Sequence, residues 1–326
     1  MLPLIRNNTP YAVGVLLILV ILIGASAPVA AVAVPPVSQP LYYFLIRSGK
    51  ALFGTSAFGW TTIYLLLLFG QALYLNNLVI RHRLFTKSTF TPAFMFLIFA
   101  TLLPSFQGIT PPLFANFLLL GALDTMLQFG RPTQPRRLIF NAGFLIGTAA
   151  FVQFSYVFAF GLLLAALLFL RPFHTGEYMA ALLGLLTPVY FMATALFLTD
   201  QLSALRNWPS IALHRLPWHS GQVGATIGIY SGVALLLLAG LYQLNGQMNR
   251  SSIYVRRSWG VIVSGMVISV FIAVLAPATV PQSWRVLAPF YGLVVAAALE
   301  TEKPRRFATF AFWMALALPI ASYIFL

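Results

Sequence analysis

The sequence predicts an all-α, polytopic membrane protein of about eleven transmembrane helices, within a range of ten to twelve. Three observations predict it. The chain is 60% hydrophobic and only 7% charged, against ~25% charged in a soluble domain, so charges cannot cover a water-facing surface. Apolar runs near the ~20 residues needed to cross a bilayer recur along its whole length, and residues 1–326 are read as a single integral-membrane domain. Basic residues fall in short clusters between those runs, where membrane insertion places them. The net charge of +14 is therefore not a nucleic-acid signal.

The first run, 11–32, reads as a retained span. A signal peptide cleaved near ASAPVAA is the competing reading, but the run is longer than a usual signal core. Pro35, Pro36 and Pro40 break it. Residues 41–57, LYYFLIRSGKALFGTSA, mix aromatic and basic side chains and read as a helix lying in the interface, with Arg47 and Lys50 toward head groups. A second span is expected at 60–80, then the basic turn RHRLFTK, and a third at 90–106. Pro111 and Pro112 suit the first turn of the fourth span, which runs to 129. Later spans are expected at 178–198, with a kink at Pro188, and at 223–244, 260–276, 284–299 and 307–325.

The stretch 138–170 decides the topology. As one helix it would measure about 50 Å at 1.5 Å per residue, against a hydrocarbon core of about 30 Å. Gln153, Ser155 and Tyr156 give a polar break midway, and basic residues flank both ends. A short broken hairpin, 138–153 and 156–170, returns both basic ends to one side. With the N terminus cytoplasmic, fourteen of the nineteen lysines and arginines then lie inside, as the positive-inside rule prefers. The expected location is a bacterial inner membrane, with the C terminus on the periplasmic side.

The absence of cysteine excludes thiol nucleophiles and thiolate metal sites. The bases expected outside are the candidate site. Arg206, His214, Arg215 and His219 share the longest polar loop, Arg285 follows Trp284, and Arg47 and Lys50 lie on the interfacial segment. Together they suit a lipid phosphate, because the arginine fork matches phosphate oxygens. Contact with ordinary head groups, beside anchoring Trp208 and Trp218, is the plainer alternative. His214 and His219, with Asp200 the nearest acid, are too loosely spaced for zinc, and no metal or cofactor is expected. Asp124, Asn116 and Asn141 are the polar residues expected at membrane depth. Asp124 is expected to pair with Arg131 or Arg136, and Glu177 to mark a helix start.

Three stretches carry a family resemblance: LLPSFQGITPPLFANFLLLGALDTMLQFGRP, FNAGFLIGTAAFVQFSYVFAFGLLLAALLFLRPF and LLGLLTPVYFMATALFLTD. Over about residues 60–200 the chain resembles an uncharacterised bacterial integral-membrane family, a domain of unknown function. More distantly it is similar to polytopic GT-C-type glycosyltransferases that use polyprenyl-phosphate sugars. That resemblance implies an outward-facing cavity for a lipid carrier and, for an enzyme, a glycosyltransferase with a polyprenyl-phosphate-linked donor. Those transferases place an acid in the first outer loop, yet residues 27–59 contain no Asp or Glu. The leading expectation is therefore a cell-envelope protein that binds a lipid carrier at the outer leaflet, or a non-catalytic membrane subunit. A metal-independent transferase or ligase of lipid-linked glycans is the alternative, and a transporter or flippase the second. Expected partners are membrane lipids, polyprenyl phosphate among them, and other membrane proteins.

Overall fold

A computed structural model describes residues 6, 10–26, 39–130, 135–200, 202, 204–209, 211–213, 215–217, 222–249, 251–276, 281–300 and 305–325. Among them the chain is helical throughout, without strands. In order the helices are α1 (Pro10–Ser26), α2 (Pro40–Phe53), α3 (Ala57–Arg81), α4 (Thr91–Ala100), α5 (Pro111–Leu127), α6 (Pro135–Val152) and α7 (Phe160–Leu170). They continue with α8 (Thr175–Leu198), α9 (Ala204–Asn207), α10 (Val223–Met248), α11 (Ile253–Val274), α12 (Ala288–Leu299) and α13 (Arg305–Phe325). Short 3-10 turns lie at Pro104–Phe106, Phe154–Ala159 and Pro281–Leu287.

Five helices, α3, α8, α10, α11 and α13, are long and apolar enough to cross a membrane on their own. The other expected spans are shorter. α4 has 10 residues, all of them buried, and α12 has 12, nearly all buried. A helix apolar on every side belongs inside a bundle, and these two pack against each other at its centre. Gly292 lets them close: a Cβ there would stand 2.9 Å from the Phe96 backbone nitrogen. The 3-10 turns complete the short helices, and non-helical backbone at membrane depth is tolerated where protein buries it. The outer helices of the bundle leave apolar faces uncovered, as at Leu183, Phe191, Leu238 and Phe310. Such surface suits lipid tails and not water.

The hairpin expectation meets α6, the 3-10 turn Phe154–Ala159 and α7. α6 packs closely on α8 because Gly143 and Gly147 face its backbone; a Cβ at either would lie 2.5 Å from the Ala181 or Leu185 carbonyl oxygen. Helix α8 runs on through Pro188. The interfacial reading of 41–57 meets α2, which buries Tyr42 and Ile46 and exposes Phe44 and Arg47. Its Tyr42 hydroxyl donates to the Ile109 carbonyl at 2.9 Å.

The helix ends collect at two poles. One pole, here the basic end, joins the turns at Arg81, Gln128, Arg171, Ser251 and Glu300. The Trp259 indole donates to the Leu84 carbonyl there at 3.2 Å, and Arg171 donates to the Phe129 carbonyl at 3.1 Å. At the other pole the loop after α9 folds back over the bundle: Ala212 N–H donates to the Ala276 carbonyl at 3.1 Å and the Trp284 indole to the Arg215 carbonyl at 3.2 Å.

Candidate functional site

The pole opposite the basic end is organised around Arg285. The 3-10 turn Pro281–Leu287 turns this residue inward just before α12 begins, and it is 1% exposed. Its Nη1 donates to the Gly108 carbonyl at 3.2 Å and to the Thr110 hydroxyl at 3.3 Å, both in the loop before α5. The guanidinium carbon lies 5.4 Å from the centroid of the Tyr64 ring, within cation–π range. The Arg285 carbonyl accepts from Asn116 Nδ2 at 3.1 Å, and the Asn116 Oδ1 accepts from the buried Tyr156 hydroxyl at 2.7 Å. Helices α3 and α5, the hairpin turn and the α12 start are thus tied to one residue, through its side chain toward Tyr64, Gly108 and Thr110 and through its backbone carbonyl toward Asn116.

Among the described residues, this cluster lacks an acid. The titratable groups that act on Arg285 are three phenols, those of Tyr64, Tyr156 and Tyr323. Arg285 Nη2, the Tyr64 hydroxyl and the Ser322 hydroxyl are buried without a well-formed hydrogen bond among the described residues; the Tyr64 phenol meets the guanidinium, and the Gly108 backbone meets the phenol, only in loose geometry. Buried charges are ordinarily paired, because desolvation costs several kcal/mol per ion, and buried donors are ordinarily satisfied. A guanidinium with one fork open is complementary to an oxyanion, above all to phosphate.

The other bases of the candidate set do not join it. Arg206 on α9, Arg215 and Arg47 are exposed, and Lys50 is partly exposed. Arg215 comes near through its backbone, which holds Trp284. His214 and His219 lie outside the described residues, as does Trp218. Trp208 is no lipid-facing anchor. It is 8% exposed and stacks on Phe151 with ring centroids 4.4 Å apart. Its indole donates to the Ala150 carbonyl at 3.0 Å, one of the carbonyls that the end of α6 leaves without a helical partner.

The residues expected at membrane depth separate. Asn116 belongs to the Arg285 cluster, whereas Asn141 is exposed on α6. Asp124 is buried at the basic end, and its described partners are Arg81 and His82 rather than Arg136; Arg131 lies outside the described residues. Arg81 Nη1 meets Asp124 Oδ2 at 2.7 Å and His82 Nε2 meets Oδ1 at 2.8 Å. His82 Nδ1 stands 3.0 Å from the Tyr254 hydroxyl, which donates its own proton to the Leu127 carbonyl. The imidazole thus bridges Asp124 to Tyr254. Glu177 sits in the first turn of α8 as expected and also pairs with Arg171 at 2.8 Å. Sequence reasoning does not single out Tyr64, Tyr156 or His82 as site residues; a lone histidine in the RHRLFTK turn is the available signal for the last.

No family model matches the sequence, and no curated protein matches it. Among solved structures, the crystal structure of the Archaeoglobus fulgidus oligosaccharyltransferase in the apo form is similar, with a TM-score of 0.48 and 14% sequence identity. The likeness covers 98% of this chain and 52% of that one, so the chain spans about half the length of the protein it matches.

Proposed function

We propose that this is a multi-pass membrane protein that binds the phosphate of a lipid carrier at the outer-leaflet end of its helix bundle, with Arg285 as the deepest ligand. The observation that carries the reading is a fully buried arginine with an open Nη2 and no carboxylate acting on it among the described residues. An oxyanion at that nitrogen converts an unpaired buried charge into a pair, and the poorly satisfied Tyr64 hydroxyl beside it supplies a further donor. The basic end is the cytoplasmic one on the positive-inside rule, which puts Arg285 toward the outer leaflet. A polyprenyl phosphate or diphosphate brings both the anion and a tail for the uncovered apolar faces. Arg206, Arg215 and Arg47, which are exposed, and the partly exposed Lys50 supply positive charge that draws the anion in.

Binding without turnover is the form favoured here, because the ionisable groups of the cluster are one guanidinium and three phenols. A metal-independent transferase acting on lipid-linked glycans would use the same phosphate site. Native mass spectrometry of the protein, extracted gently from its own membranes with the lipids identified, separates the possibilities. The expected result is a stoichiometric polyprenyl phosphate or diphosphate that is lost from Arg285→Gln while the variant still inserts. Bulk phospholipid alone, in equal amount on both proteins, would overturn the reading. Transfer of glycan from the bound carrier by wild type and not by the variant would replace binding with catalysis.

A further inference from the structure

The basic end holds a feature that the outer site does not use. The last turns of α3 and α10, the start of α11 and Glu300 surround a cavity of about 1240 Å³, at or above the size of ordinary small-molecule sites. The wall formed by the end of α3 and the turn after it is cationic, with Arg81, Arg83 and Lys87; the α10 wall offers the uncharged amides of Gln243 and Gln247. Among the described residues its acid is Glu300, which already accepts from the Thr91 hydroxyl at 2.8 Å.

Two features show that the cationic wall is built rather than incidental. The first is the buried support behind it. Asp124 takes one nitrogen of Arg81 and the ring of His82, and Tyr254 holds that ring from the α11 side. The last turn of α3 is therefore fixed from within. The second is the backbone of Arg83. Helix α3 closes with Arg83 N–H donating to the Ile80 carbonyl and Leu84 N–H to the Val79 carbonyl, each at 3.1 Å. This closure puts Arg83 at φ 51°, a left-handed position that glycine takes without cost and an L-residue takes at roughly 1–2 kcal/mol. An arginine thus stands at the cavity wall where glycine would be the more stable residue. Bases that merely meet head groups have no need of a concave wall, a buried support or a strained backbone.

We infer that this cavity is a second anion site, at the cytoplasmic end, which takes a phosphate group through Arg83 and Arg81. The phosphate is borne by a membrane-lipid head group or by a soluble phosphate compound; the chemistry at the two arginines is the same. The inference is independent of the Arg285 site.

The test uses the full chain in phosphatidylcholine nanodiscs and reads its thermal midpoint. Inorganic pyrophosphate is titrated in one arm, and phosphatidylglycerol is mixed into the bilayer in the other. The variant is Arg83→Gly, which removes the ligand and relieves the left-handed backbone. It is expected to be at least as stable as wild type in plain phosphatidylcholine, yet to need about tenfold more anion for the same rise, as the loss of one charged hydrogen-bonding partner implies. A rise with pyrophosphate assigns a soluble ligand, and a rise confined to phosphatidylglycerol assigns a lipid head group. Stabilisation retained in full by Arg83→Gly places the anion elsewhere, as at Arg285, and overturns the inference. So does a wild type that responds to neither anion.

Discussion

Arg285 lies over the face of Tyr64, and the two residues share a deficit: the arginine Nη2 and the tyrosine hydroxyl are both buried without a well-formed hydrogen bond among the described residues, meeting each other only loosely. The substitution Tyr64→Phe keeps the ring under the cation and removes only the hydroxyl. In protein stripped of lipid it is expected to be neutral or to raise stability by up to ~1 kcal/mol, because an unsatisfied buried group disappears. Retention of the carrier lipid, read by native mass spectrometry, should fall about fivefold to tenfold, the equivalent of one hydrogen bond. A clear loss of stability with unchanged retention would make the hydroxyl a structural group.

Asp124 is expected to act in stability. It accepts from Arg81 and His82, with the Tyr74 hydroxyl at 3.4 Å. In Asp124→Asn, one of the two carboxylate oxygens becomes an N–H group facing a donor. The expected cost is about 2 kcal/mol, with the half-exposed Arg81 contributing least, measured as a lower thermal midpoint in detergent. If a substrate or ion moved through the bundle by way of Asp124, transport would fail while the midpoint held, and the structural assignment would be wrong.

The contact of α6 with α8 predicts a difference between glycines. Gly143→Ala would drive a methyl group to 2.5 Å from the Ala181 carbonyl oxygen, and small residues are what allow such close approach. A loss of about 1–3 kcal/mol is expected, as for other overpacked sites. Gly228 on α10 faces open space: apart from its own helix backbone, nothing among the described residues lies within 4 Å of where a Cβ would stand. Gly228→Ala should therefore stabilise by about 0.5–1 kcal/mol through helix entropy. Thermal midpoints of the two variants, side by side, check both signs.

Several of these features are legible in the sequence because they rest on local chemistry. The break at Gln153–Ser155 follows from helix length against bilayer thickness, and it appears as the turn Phe154–Ala159. A helix over the mixed aromatic and basic segment 41–57 is also legible, and it appears as α2, Pro40–Phe53. Helix count is less legible: α4 and α12 are apolar enough to read as spans, but at 10 and 12 residues they are core struts, a distinction that depends on neighbours. The same limit applies to the charges. Sequence distance suggests Arg136 or Arg131 for Asp124, whereas the structure brings Arg81 across from 43 residues away. In sequence, Arg285 reads as one outer base among several. Its burial depends on a turn between Pro281 and Leu287 that faces the residue inward, and side-chain direction in such a turn is set by tertiary packing.

Glu300 gives a pH dependence with a definite sign. It caps the C-terminal end of α12, where a negative charge opposes the helix dipole. Burial pushes its carboxyl above the ordinary 4.5, and hydrogen bonds from Thr91 and Thr89 with the charges of Arg6 and Lys87 pull back only in part. A raised carboxyl keeps its proton in the native state over a window in which the unfolded chain has lost it. Its stabilising contribution is therefore complete below the ordinary 4.5 and declines as pH rises through the raised native value. Glu300→Gln keeps an oxygen for Thr91 and cannot ionise. It should lose that decline and be the more stable protein at neutral pH, as thermal midpoints across the acid range would show. Because Glu300 also lines the cationic cavity, the same variant should bind pyrophosphate more tightly than wild type. A variant less stable at neutral pH, with no gain in anion affinity, would mean instead that the charges of Arg6 and Lys87 outweigh burial and that Glu300 serves as their counter-ion.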